Sequence, residues 1–89
     1  MPFKYKNLTL VYNGEIYNYI ELRNYLKSKK YTFQTNSDTE VLIKSFDYWG
    51  KDCVNHFEGM WAFSIFDSQK DQLFLSRDPF GEKPLYYYY

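Results

Sequence analysis

The sequence predicts an α+β fold in which an antiparallel sheet carries two helices on one face. Three observations lead there. Short runs of β-branched, aromatic and aliphatic residues recur at residues 8–12, 59–66 and 72–76. Two segments between them carry apolar residues at helical spacing. The polar stretch Asp67 to Asp71 joins two of the runs closely enough to make a hairpin, so those strands run antiparallel.

Leu8-Thr9-Leu10-Val11-Tyr12 reads as the first strand. It meets Asn13-Gly14, after which a helical pattern starts at once, so a sharp strand-to-helix corner is expected there. Such a corner would aim an amide side chain and a glycine N–H at one point, as an oxyanion hole requires. Asn18 is the expected N-cap of the first helix, with Glu21 three residues on. Leu22, Tyr25 and Leu26 give that helix its apolar stripe, and it should end near Lys30. Tyr31 to Gln34 is expected to be a short strand. Ser37-Asp38-Thr39-Glu40 has the form of a capping box. Leu42, Phe46 and Trp49 follow at i, i+4 and i+7, and Gly50 suits the C′ position. Asp52 to Phe57 adds a helical turn.

Gly59 to Phe66 is the strongest strand. Met60, Ala62, Ser64 and Phe66 project one way; Trp61, Phe63 and Ile65 project the other. Both sets are mostly apolar, so both faces call for a covering layer. The two helices supply one. Gln72 to Ser76 returns, Asp78-Pro79-Phe80-Gly81 turns the chain, and Leu85 to Tyr89 opens another strand. The unfilled second layer and the closing run of four tyrosines suggest residues 1–89 as one partial domain.

Composition narrows the function. Eighty-nine residues with 45% hydrophobic and 25% charged content fit a single soluble domain. An aromatic share of 24% exceeds what so short a domain readily hides. Eleven basic residues balance eleven acidic ones without a basic stripe, which argues against a nucleic-acid partner. No run approaches a membrane span and the first ten residues lack a signal-peptide core, so no membrane partner and a cytoplasmic location are expected. Cys53 is the only cysteine. It stands three residues before His56, a spacing that allows a dyad; a buried thiol beside a surface histidine is the weightier reading. Two ligands do not make a metal site.

Taken in order, the motifs resemble the class II glutamine amidotransferase domain, and most closely that of glutamine-hydrolysing asparagine synthetases. The matching segments are Val11-Tyr12-Asn13-Gly14-Glu15-Ile16-Tyr17-Asn18, Leu22-Arg23 and Ser37-Asp38-Thr39-Glu40-Val41. They continue with Trp49-Gly50, Glu58-Gly59-Met60-Trp61-Ala62-Phe63, Arg77-Asp78 and Lys83-Pro84-Leu85-Tyr86-Tyr87. The resemblance implies an α-β-β-α sandwich of the N-terminal-nucleophile hydrolases, in which an N-terminal cysteine attacks the glutamine amide and its own α-amino group is the base. It implies that Asn13 and Gly14 form the oxyanion hole, that Glu15 lines the glutamine pocket, and that Asp38 holds the substrate α-ammonium. It places ATP and magnesium in a separate synthetase domain that converts aspartate to asparagine, with no cofactor in this chain.

The chain departs from that pattern at its start. The family's N-terminal Cys-Gly-Ile is absent; the sequence begins Met1-Pro2, and Pro2 has no nucleophilic side chain. The family arginine that binds the substrate carboxylate lies upstream of the matching region. The expectation is a piece that begins at an internal methionine, is inactive alone and self-associates. Glu82 stands where the family usually carries an aliphatic residue. An aromatic-rich binding module derived from the same fold is the alternative.

Overall fold

A computed structural model describes residues 2–78. The elements run β1 (Phe3–Tyr5), β2 (Leu8–Ile16), α1 (Tyr19–Ser28), α2 (Asp38–Trp49), a short 3₁₀ helix (Gly50–His56), β3 (Gly59–Asp67) and β4 (Gln72–Arg77). The strands form one antiparallel sheet in the order β1-β2-β3-β4. The expected strand at Leu85 to Tyr89, the turn through Gly81 and the Glu82 position lie outside the described residues.

The helices cover one face of the sheet, as expected. Leu8, Leu10 and Ile16 of β2, Trp61, Phe63 and Ile65 of β3, and Phe74 of β4 supply that face to the core. Leu22 of α1 and Val41, Leu42 and Ile43 of α2 meet them. α2 is wedged between α1 and the sheet, so its middle is buried nearly all round, from Glu40 to Ser45. Its expected stripe is therefore too narrow: Phe46 and Trp49 are only half-buried. Ser37 caps α2 by accepting the amide of Glu40 at 3.4 Å, and Gly50 closes it at φ 68.

No element among the described residues covers the opposite face. Val11 keeps 53% of its surface and Met60 56%, and Phe66 is also exposed. The alternation expected for Gly59 to Phe66 is thus real, but among the described residues only the Trp61 set has a cover.

Three local expectations are corrected. The strand does not end at Asn13-Gly14. β2 runs on to Ile16, paired with β3 at Asn13↔Ala62, Gly14↔Trp61 and Glu15↔Met60. Pairing along a nine-residue neighbour outweighs the local turn preference of Asn-Gly, and the corner moves to Tyr17 and Asn18. Asn18 precedes α1 without capping it. Its side chain donates to the His56 carbonyl at 2.8 Å and accepts the Glu58 amide at 3.0 Å, strapping the helix start to the entry of β3. Residues 31–34 form no strand, because their backbone is claimed by α2 side chains. β1, too short to show a period, exists through its pairing with β2.

Candidate functional site

The site grows from the far end of β2. Trp61 turns both main-chain groups toward Asp78, donating to Oδ1 at 3.2 Å and accepting the Asp78 amide at 2.8 Å. Its pairing with Gly14 is therefore of the non-hydrogen-bonded kind, and Gly14 turns its own N–H and carbonyl away from β3. β1 pairs only as far as Leu10, so among the described residues no strand pairs with that edge of β2 beyond it. The Ile16 amide, two residues on and facing the same way, donates to Asp38 Oδ2 at 3.0 Å. The first residue of α2 thus reaches that edge of β2.

Gly14, Glu15, Ile16, Tyr17, Tyr19, Asn36, Ser37 and Asp38 line a cleft of about 510 Å³. Three of the four expected residues, Gly14, Glu15 and Asp38, meet there. Asn13 does not line the cleft. It is exposed on the open face of the sheet, one position from Gly14.

Gly14 has φ 134, and a Cβ would run into the carbonyl oxygen of Met60 and stand 2.9 Å from the Trp61 Cα. Only glycine lets the two strands close at this point.

Two contributors were not foreseen. Tyr12, read as a strand residue, donates its hydroxyl to Asp38 Oδ2 at 2.8 Å. Burial, and then the Asp38 carboxylate, push its phenol pKa well up, so it stays a donor. Glu40, read as the acid of a capping box, instead accepts the Gln34 and Thr35 amides at 3.0 and 2.8 Å and the Thr35 hydroxyl at 2.7 Å. Lys44 pairs with it at 2.8 Å and donates to the Thr32 carbonyl. This buried pair holds the loop whose Asn36 and Ser37 line the cleft. Burial alone raises the Glu40 carboxyl, but the Lys44 and Thr35 bonds and the two amides reverse that and hold it at about 2. The S-x-x-E spacing could not distinguish this use from a cap.

Cys53 and His56 form no dyad. Cys53 is fully buried, and burial pushes its thiol well up. The exposed His56 ring stacks on Trp49 at 3.8 Å between ring centres. Among the described residues no three His, Cys, Asp or Glu side chains converge as metal ligands. A second cavity of about 290 Å³ lies at the other end of β2, among Asn7, Phe46, Lys70 and Phe74. Its Asp67 carboxylate is already taken by Asn7 and the amides of Gln69 and Lys70.

Comparison with solved structures defines the class. The glutamine phosphoribosylpyrophosphate amidotransferase of B. subtilis, solved with ADP and GMP, matches 89% of this chain and 19% of its own at TM-score 0.71 and 28% identity. The sheet with helices on one face is therefore that of the N-terminal-nucleophile amidotransferases. Residues 1–89 match the family model described as a glutamine amidotransferase domain, and the chain belongs to that family. It is 48% identical over 88 residues to glutamine-hydrolysing asparagine synthetase 1 of Bacillus subtilis strain 168, covering 97% of this chain. It is 42% identical over 85 residues to asparagine synthetase 3 of the same organism, covering 96% of this chain. It spans 14% of the length of each of these relatives. Among the described residues no helix is long and apolar enough to cross a membrane.

Proposed function

We propose that this domain binds glutamine in the cleft between β2 and α2 and stabilises the oxyanion formed when the side-chain amide is attacked. The observation that carries the reading is the meeting of Gly14 and Asp38 on one strand edge. Asp38 is a carboxylate suited to the α-ammonium, and its Oδ1 takes no hydrogen bond among the described residues. The Gly14 N–H on that edge is a neutral donor, which favours a charge that develops only in the transition state; the Asn13 amide is the second expected donor, one position away on the open face and outside the cleft. Glu15 shapes the pocket wall. The ammonia released serves an ATP- and magnesium-dependent amidation of aspartate in a synthetase domain, in the cytoplasm.

The test is a titration of the ¹⁵N-labelled chain with L-glutamine. Amide shifts at Gly14, Ile16 and Asp38 that saturate, and that Asp38→Asn abolishes, support the reading; shifts spread elsewhere would sink it.

The 89-residue chain by itself should release no glutamate from glutamine. A thiolate is needed, and its only cysteine is buried outside the cleft with a raised pKa. Turnover above a blank that disappears in Cys53→Ala would refute this.

Self-association is the further expectation. Val11, Met60 and Phe66 put apolar surface on the open sheet face, and such patches invite association. Concentration-dependent light scattering and binding of a hydrophobic dye should appear together, and both should fall in Met60→Lys. A monodisperse sample that leaves the dye dark would contradict it.

The alternative, a non-catalytic aromatic binding module, draws on the exposed Tyr25 and Tyr48 beside the stacked Trp49 and His56. Those rings largely satisfy one another, so the cleft carries the stronger reading.

A further inference from the structure

We propose that Tyr12 is a positioning residue for Asp38, which it holds so that the site discriminates in favour of ligands bearing an α-ammonium group. This rests on the glutamine reading above. The Tyr12 hydroxyl and the Ile16 amide both donate to the same oxygen, Asp38 Oδ2, at 2.8 and 3.0 Å. Two donors on one oxygen fix the rotation of the carboxylate. They leave Oδ1 as the acceptor for an incoming cation, the one carboxylate oxygen of Asp38 that no described residue occupies.

Both donors belong to the sheet. Tyr12 shares a strand face with the buried Leu10 and Ile16, and its ring packs against the core. Asp38 opens α2 directly after the Ser37 cap. The carboxylate is thus held between two packed elements, β2 and the start of α2. Orientation fixed before binding removes an ordering cost that the ligand would otherwise bear. The effect is confined to the group Asp38 receives. A ligand without an α-ammonium gains nothing from it.

The experiment compares wild-type and Tyr12→Phe forms of the full 89-residue chain by ¹⁵N amide titration. One ligand is L-glutamine. The other is 4-carbamoylbutanoate, the same molecule without the α-ammonium. Tyr12→Phe should weaken L-glutamine binding about tenfold, since a hydrogen bond to a charged group is lost. Binding of 4-carbamoylbutanoate should be unchanged, which also shows that the variant is folded. Equal weakening of both ligands would mean that Tyr12 acts through packing alone, and the proposal falls. Unchanged binding of both ligands overturns it as well. A wild-type chain that ignores L-glutamine removes the glutamine reading and this inference with it, an outcome distinct from a responsive wild type matched by its variant.

Discussion

Gly14→Ala is expected to unfold a large share of the population. At φ 134 an L-residue is strained, which costs about 1–3 kcal/mol. The added methyl also meets the Met60 carbonyl, part of the paired strand, which cannot swing aside as a side-chain tip could. Overpacking adds about 1–3 kcal/mol more. Together these approach the whole stability of a small domain, about 5–15 kcal/mol. Gly59→Ala should behave alike, because its Cβ would strike the Glu15 carbonyl at φ 143. Gly50→Ala is the control for the steric part: nothing lies within 4 Å of its Cβ, so only the backbone penalty of about 1–3 kcal/mol is due. Urea midpoints for the three variants check the order. A Gly14→Ala variant as stable as Gly50→Ala would mean that β2 and β3 are not closed at this point. Lost activity in a Gly14 variant would therefore report on folding before it reported on an oxyanion donor.

Glu40→Ala should be comparably damaging. It leaves the Lys44 ammonium buried without its anion and strips the acceptor from the Gln34 and Thr35 amides. Breaking a buried pair from one side costs about 3–5 kcal/mol. The same group gives a pH dependence of definite sign. Its folded pKa of about 2 lies below the unfolded value of 4.5, so the folded state favours the anion. Its contribution is present in full above the unfolded value and fades as pH falls toward 2. Melting temperatures measured from pH 6 downward should therefore drop in the wild-type chain. The gap to Glu40→Gln should narrow over the same window. A gap that stays constant with pH would show that Glu40 is not held as the anion.

The strands at Leu8 to Tyr12, Gly59 to Phe66 and Gln72 to Ser76 and both helices were legible because each has its own period, cap or hairpin turn. The residues of the candidate site were legible as motifs, yet their arrangement was not. Asn13-Gly14 is locally a turn, and only the presence of β3 alongside makes it strand. Tyr12 could not be linked to Asp38, because twenty-six positions of chain separate two groups that touch at 2.8 Å. The same distance problem hid the strap from Asn18 to Glu58, forty positions apart.

What the sequence determined alone was the α+β class, the two helices, three of the four strands and the family to which the chain belongs, since periodicity, capping and ordered motifs are local properties of a chain. What only the tertiary structure decided was where the strand ends, which face of the sheet is covered, and which partners Asn18, Tyr12 and Glu40 take. A polar side chain near a helix start can cap it, bridge to a strand or anchor a loop at nearly equal local cost. The choice falls to whichever unsatisfied backbone group the fold brings within reach.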